Sequence, residues 1–538
     1  MINKFSLFII LFFLSSTTYS QEKQTKISYK VIDTSTKEPV VYATVMLKNI
    51  NRGTHADLNG NFEIPIKYYQ NAIIRISSIG YKSKEIKLSE LKLDIVNIIH
   101  LNKSNNKLQE IVITTSKKNK EKKKKQKTLS GAQIVRKAIE NILNNYPTQP
   151  HSYIGYYRDY QQPADNTYQK LIKSEKAIEY LNVHEGILES YDNGFKSDKL
   201  KDKKNQTLVY NYGINQKFIQ DASLTIPYDN KSRKYSESVY ITPLGGNELN
   251  ILDLTNAIRN YDKMSFSFAN IFKKDFINNH LIFLKETIYT DNTPLYKIYF
   301  NSKKHKTSYE YFASGYIYIS KNNFAIHKLN YNLFYRKSKK PQYSITIDYN
   351  QKNDKMYLNY ISFNNFFEAT NGNYFKIIKT TFNSKNNTFK ISFNRQLNFN
   401  TVTPFHKKIK IYFKNVKLNV TDVKHMETAK NTIIVYVDKK SIEKINFINE
   451  SKNPNYASFF TFDITKIKDV NGFEIDKRPS IKLNQYRELF VQEVFENKKL
   501  PLQKNFVNKN LPLSESKITK ANFKEAYWIN SPLKKTKE

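Results

Sequence analysis

The 538 residues give room for roughly three or four domains that each bury their own core, and 39 Tyr with 35 Phe against 13 Gly and 15 Pro exclude a disordered chain and favour many strands. The absence of cysteine excludes disulfides, thiolate metal sites, cysteine nucleophiles and a lipid-modified N-terminal cysteine. The formal net charge of +39 is spread along a chain rich in Lys, Asn and Ile throughout, so it reads as a background property and no nucleic-acid partner is expected.

The first residues place Lys4 before an apolar core from Phe5 to Leu14, followed by small and polar residues. This is the pattern of a secretory signal peptide over 1–20, with cleavage between Ser20 and Gln21 and an apolar run too short to span a membrane. An exported, periplasmic or outer-membrane-associated protein follows as the expectation. It would not be a lipoprotein, since there is no cysteine to modify.

Residues 21–115 read as a sandwich of short strands. Val41, Ala43, Val45 and Leu47 alternate with Tyr42, Thr44 and Met46. Asp57-Leu58-Asn59-Gly60-Asn61 forms a tight turn in which Gly60 takes positive φ, and Phe62 and Ile64 resume the alternation. A further strand from Ile73 to Ile79 ends at Gly80-Tyr81. Five to seven strands in about 75 residues make a β-sandwich.

This stretch resembles the carboxypeptidase regulatory-like, transthyretin-like domain found in envelope proteins of Bacteroidetes. The resemblance rests on Pro39 with Ala43 and Val45, on Gly53-Thr54, Asp57, Gly60 and Phe62, and on Ile76-Ser77-Ser78-Ile79-Gly80-Tyr81. His55 stands where the family more often has a β-branched residue, which implies an unusually exposed strand. Leu108 to Thr114 is similar to the segment that ends such domains and that precedes the plug of TonB-dependent receptors; no plug or long barrel pattern follows here.

Lys117 to Lys127, with eight Lys and one Glu, falls in a linker over 116–128 whose charge suits anionic lipid headgroups. A mixed helical and strand region is expected over 129–270. Ser130 caps a helix with Ile134, Val135, Ala138, Ile139, Ile142 and Leu143 on one face, stopped at Asn145-Tyr146-Pro147. Looser helical patterns follow over about Tyr168 to Tyr180 and Glu248 to Arg259.

From about residue 280 the period is two. His327, Leu329, Tyr331 and Leu333 alternate with Lys328, Asn330 and Asn332, and similar runs occur at Tyr343 to Tyr349 and Phe389 to Phe399. One large, curved antiparallel sheet over 271–538 is the economical reading. The fold class is therefore mainly β with some α: an Ig/transthyretin-like sandwich, a short helical segment, then the large sheet. The second half also resembles the uncharacterised carboxypeptidase-like regulatory domain-containing proteins of Bacteroidetes, on pieces that together span nearly the whole mature chain. The matching pieces are Ile134 to Ile139, Gly155-Tyr156-Tyr157-Arg158, Gly315 to Ile319, Leu489 to Glu493 and Tyr527-Trp528.

No catalytic, cofactor or metal residue is assigned. None of the nine His has a Glu three residues later, no His-x-x-x-His occurs, and His425 with Glu427 does not make a zinc site. There is no Gly-x-Ser-x-Gly elbow, phosphate loop or dinucleotide fingerprint. Asp57 alone falls far short of a calcium shell and reads as a turn residue. Tyr156, Tyr157 and Arg158 form the densest aromatic and charged cluster. It suits either a strand core in which Arg158 pairs with a carboxylate, or a recognition patch. A non-enzymatic envelope protein is expected, an adaptor or a module for binding another envelope protein or a surface ligand. The alternatives are a lipid or lipoprotein carrier, an outer-membrane barrel and an unrecognised hydrolase, which would need acidic or His side chains converging in a pocket.

Overall fold

The computed structural model describes residues 26–48, 52–65, 69, 71–93, 95–104, 129–172, 174–199, 201–224, 234–236, 239–240, 248–259, 276–303, 311–335, 341–370, 374–445, 459–477, 480–502, 505–520, 527 and 533. Ser20, Gln21, the Lys117 to Lys127 run, Leu108 to Thr114 and Trp528 lie outside them. The chain divides into two compact units, one holding the N-terminal sandwich and a large sheet, the other formed mainly by Glu368–Lys482.

The sandwich has seven strands: β1 (Lys26–Asp33), β2 (Thr44–Leu47), β3 (Arg52–His55), β4 (Asn61–Pro65), β5 (Ile73–Ser77), β6 (Lys84–Lys87) and β7 (Val96–Leu101). They form two sheets, β4-β1-β7 and β3-β2-β5-β6, with β7 parallel to β1. Alternate apolar side chains from both sheets build one core, including Tyr29 stacked on Phe62 with ring centroids 4.4 Å apart. β2 begins at Thr44, later than the alternation implied, because Tyr42 adopts φ 56° and interrupts the strand.

Helix α1 (Gly131–Glu140) starts at Ser130, whose side chain and that of Gln133 form a reciprocal capping box, and α2 (Ile142–Asn145) continues it. The helical pattern at Tyr168 to Tyr180 yields only α3 (Thr167–Leu171); Tyr168 is its one buried side chain, so no apolar face sustains a longer helix. Glu248–Thr255 is 3-10 and Asn256–Arg259 is α-helical.

The large sheet has ten strands: β8 (His151–Pro163), β9 (Leu181–Asp192), β10 (Thr207–Ile214), β11 (His280–Thr290), β12 (Thr293–Ser302), β13 (Tyr311–Ser320), β14 (Ile326–Tyr335), β15 (Pro341–Lys352), β16 (Lys355–Thr370) and β17 (Ser480–Phe495). Their order is β10-β9-β8-β17-β16-β15-β14-β13-β12-β11. One face packs on α1 and α2 in a continuous core that takes in Ile134, Val135, Tyr157, Ile317, Tyr331 and Ile347. Gly315 permits close strand approach, since a Cβ there would collide with the Asn330 carbonyl oxygen.

The expected boundary at 270/271 is not where the structure divides. β8, β9 and β10 belong to the large sheet, whereas Phe389, Ile391, Phe393 and Leu397 do not extend it. They pack in the core of the second unit, between the four strands Ile377–Asn383, Thr388–Phe393, Thr432–Val437 and Val420–His425 and the three strands Val416–Leu418, Ile409–Phe413 and Phe460–Ile464. Two-residue periodicity is the same in either sheet and carries no information about which sheet a strand joins. No helix among the described residues is long and apolar enough to cross a membrane.

Candidate functional site: a cleft between the sandwich and the large sheet

The outer face of the large sheet around β8, β17 and β16 is covered by the sandwich. Tyr42 stacks on Tyr360 at 4.5 Å, and His55 lies 5.9 Å from both Tyr360 and Phe490. Arg52 bonds Glu493 at 2.9 Å and lies over the Tyr527 ring, whose hydroxyl also donates to Glu493. The strand bearing His55 is therefore fully buried, not exposed as its sequence implied, because the large sheet supplies a second apolar surface for it.

Tyr156, Tyr157 and Arg158 lie at the centre of this contact and are at most 1% exposed. Tyr157 points into the α1 side of the sheet; Tyr156 and Arg158 point to the sandwich side. They form no solvent-facing patch, because the chain's own N-terminal domain covers two of them. Arg158 donates to Glu488 at 2.7 Å, and Tyr360 donates to the other Glu488 oxygen at 2.7 Å. The guanidinium also lies 5.1 Å from the Phe490 ring centre and 5.2 Å from that of Tyr160. Burial holds the Asp57 carboxyl above the usual carboxylate range, opposed by Arg158.

The regulatory-domain residues have local roles. Asp57 accepts from the backbone of Asn59 and Asn61, both at 2.8 Å, and Gly60 takes φ 76° against the Val31 carbonyl. Gly53 leaves room for Met46, and Phe62 fills the core. Pro39 bridges to Ile32, and Gly80 takes φ 91°, placing Tyr81 to donate to Asp33 at 2.9 Å.

Beside the buried contact, sandwich and sheet leave a cleft of 690 Å³. Its roof is the side-chain face of β2 and β5, with Thr44, Met46, Arg75 and Ser77; its floor is the end of β14 and β15 and the β11–β12 turn. Two β-bulges deliver side chains to it. Tyr318 pairs with Lys328 but Ile319 pairs with Ile326, leaving His327 as an extra residue; Asp348 pairs with Tyr360 but Tyr349 pairs with Leu358, leaving Asn359 as another. Asn359 donates to Thr44 at 3.1 Å, tying roof to floor.

His327 is 9% exposed, and among the described residues no hydrogen bond or ion pair reaches its ring; burial lowers its pKa to about 4, so the imidazole is neutral at pH 7. Lys328 and Asp348 pair at 3.3 Å, and burial raises the Asp348 carboxyl despite that lysine. The two-residue period puts His327 in phase with Leu329; in the structure Ile326 takes that place. No signal in one sequence marks either bulge, since each adds a residue without changing the flanking alternation.

The fold is thus a β-sandwich seated on a ten-stranded antiparallel sheet, with a polar cleft between them. Residues 27–113 match the family described as CarboxypepD_reg-like domain, and the N-terminal part of the chain carries that domain. The TonB-dependent receptor SusC of Bacteroides thetaiotaomicron is 33% identical over 101 residues, 19% of this chain and 9% of the receptor, in keeping with the resemblance to Bacteroidetes envelope domains. The chain therefore spans less than a tenth of that relative. A LolA superfamily protein from Nitrosomonas europaea overlays on 44% of this chain and 86% of its own at 10% identity and a TM-score of 0.18. A domain described as an outer membrane lipoprotein-sorting protein from Vibrio parahaemolyticus covers 44% of this chain and 85% of its own at 11% identity and 0.20. Both scores lie well below the level at which two chains share a fold.

Proposed function

We propose that the chain is a non-enzymatic cell-envelope protein that holds a polar ligand between its regulatory-like domain and its large sheet. The observation that carries this reading is the cleft, where two adjacent bulges bring a neutral imidazole, without a hydrogen-bond partner among the described residues, and an amide to one place. Bulges cluster at functional sites because they re-aim side chains that a regular strand would bury or point away. Envelope location is supported by the regulatory-like domain and its likeness to part of an envelope receptor. Contact with anionic lipid through Lys117 to Lys127 remains part of the proposal, and a nucleic-acid partner does not.

The cleft gathers one imidazole and the Asp348 carboxyl, which were the kinds of group a hydrolase would need. No hydrogen bond joins them, and Asp348 is engaged by Lys328. That arrangement suits binding better than acid–base chemistry. The carrier reading has less support, because the face of the large sheet that would shelter an acyl chain is packed by α1, α2 and its own side chains. A barrel has less support too, since the sheet is open, with β10 and β11 at opposite ends.

The test is native mass spectrometry of the chain purified without detergent from an envelope extract of a producing cell. Wild type should retain a non-protein mass that Ser77→Trp and Asn350→Trp, which fill the cleft, both lose. Equal spectra for all three would reject the reading.

A further inference from the structure

We infer that the ligand of this cleft is a neutral saccharide long enough to continue onto the uncovered part of the outer sheet face; the inference rests on the reading of the cleft as a binding site. Charge is the first ground. The lining ions pair with one another: Lys48 with Glu85 at 2.8 Å, Arg75 with Asp291 at 2.6 Å and Lys328 with Asp348 at 3.3 Å. The pairs cancel one another's charge, so the lining presents no net charge to favour a phosphate, carboxylate or ammonium ligand over a neutral one.

The second ground is the uncharged lining between those pairs. Ser77, Ser78, Thr293, Asn292 and Asn350 offer hydroxyls and amides, and the nine-tenths buried His327 adds a neutral ring with one donor and one acceptor nitrogen. Such groups match the hydroxyls of a sugar, each of which both donates and accepts. The roof presents side chains from a sheet face, so an extended peptide main chain gains no strand partner there.

The third ground lies outside the cleft. Tyr318 stands directly opposite Lys328 on the same face, and from it a row of rings crosses three strands to the sheet edge. Tyr316 lies 6.4 Å from Tyr318, Tyr299 5.3 Å from Tyr316, and Phe283 6.4 Å from Tyr299. Phe283 is 46% exposed. Tyr318, Tyr316 and Tyr299 are half-buried, so the row offers ring surface that opens fully only at Phe283, and flat rings offer C–H stacking to the apolar faces of successive sugar units. Lys285 lies over Phe283 and Tyr299 and would swing off the rings to donate to sugar hydroxyls, whereas Lys297, over Tyr316, is held by Glu286 at 2.8 Å and leaves no uncompensated charge beside the row. A polar cleft continued by a ring row is a shape that a chain of uncharged, two-faced units fills and a compact ligand does not.

The experiment is titration calorimetry of the full chain at pH 7 against linear neutral oligosaccharides of glucose and of mannose, from disaccharides to octasaccharides. Affinity should rise about tenfold from the shortest to the longest member of the preferred series. Phe283→Ala and Tyr316→Ala should reduce that gain to less than about twofold while leaving disaccharide binding in place, and Asn350→Ala should weaken every length by about fivefold or more. Unchanged melting temperatures guard against misfolding. No binding to any neutral probe, preference for a uronic or phosphorylated sugar, or Phe283-dependent sedimentation with phosphatidylethanolamine–phosphatidylglycerol vesicles would overturn the saccharide assignment. A cleft-dependent, non-saccharide mass in the native spectra would sink this inference alone, whereas no retained mass and no probe binding would sink the binding site with it.

Discussion

Arg158 and Glu488, 330 residues apart in sequence, meet at 2.7 Å on adjacent strands with 1% and 0% of their side chains exposed. Two charges this deep are tolerable only together. Glu488→Gln or Arg158→Met should each lose about 3–5 kcal/mol of stability, since each leaves one buried group without its partner. The double variant Arg158→Met/Glu488→Met should lose less than either single one, measured by urea unfolding of the purified chain. Equal or additive losses would mean that the pair is not coupled.

The bulges make a sharper test of the cleft. Deleting Asn359 leaves every flanking residue of β16 on its present face, because Tyr360 already pairs with Asp348 and Leu358 with Tyr349. The variant should fold, with a circular dichroism spectrum like that of the wild type, and lose the ligand mass. Loss of folding would show that the bulge also supports the sheet.

How much of this was legible beforehand depends on what each signal measures. Ser130 announced α1, and Gly60 with Phe62 announced the sandwich, because capping and turn chemistry are local. Partner choice is not local. β8 reads as aromatic and charged, Tyr156-Tyr157-Arg158-Asp159-Tyr160, and nothing in it indicates that its neighbour is β17. Likewise Phe389 to Leu397 carries the same alternation as β15 and ends in a different unit. His327 was misplaced by a single residue of phase, the smallest error that period-two reading permits.

Acid should destabilise the chain through its buried imidazoles. Burial lowers His327 and His280 to about 4 and His55 to about 3, so the unfolded state takes up protons first. Their contribution to stability is present above about pH 6.5 and is lost as the pH falls through the folded values. The raised carboxyls Asp57, Asp253 and Asp348 act in the opposite sense, so a difference measurement is needed. Relative to wild type, His327→Gln should gain stability between pH 6.5 and 4 by up to about 1.4 kcal/mol per pH unit. A pH-independent difference between the two would reject this assignment.

Gly315 should not tolerate a methyl group. Gly315→Ala drives a Cβ into the backbone of β14, which cannot give way as a flexible side chain would. A loss of about 1–3 kcal/mol or more is expected in thermal or urea unfolding. Gly213→Ala, where a Cβ would meet nothing, serves as the control.

The strand that joins the two halves of the large sheet is made last. β8 to β10 lie on one side of β17 and β11 to β16 on the other. Until residues 480–495 arrive, the meander from β11 to β16 can pair with itself, but it has no route to β8. Sheet closure is therefore a late, long-range event in the folding of this chain, after the local hairpins have formed. A nascent molecule exposes two unpaired strand edges, β8 and β16, over that interval. Those edges are where a chaperone would have to bind to prevent strand pairing between molecules.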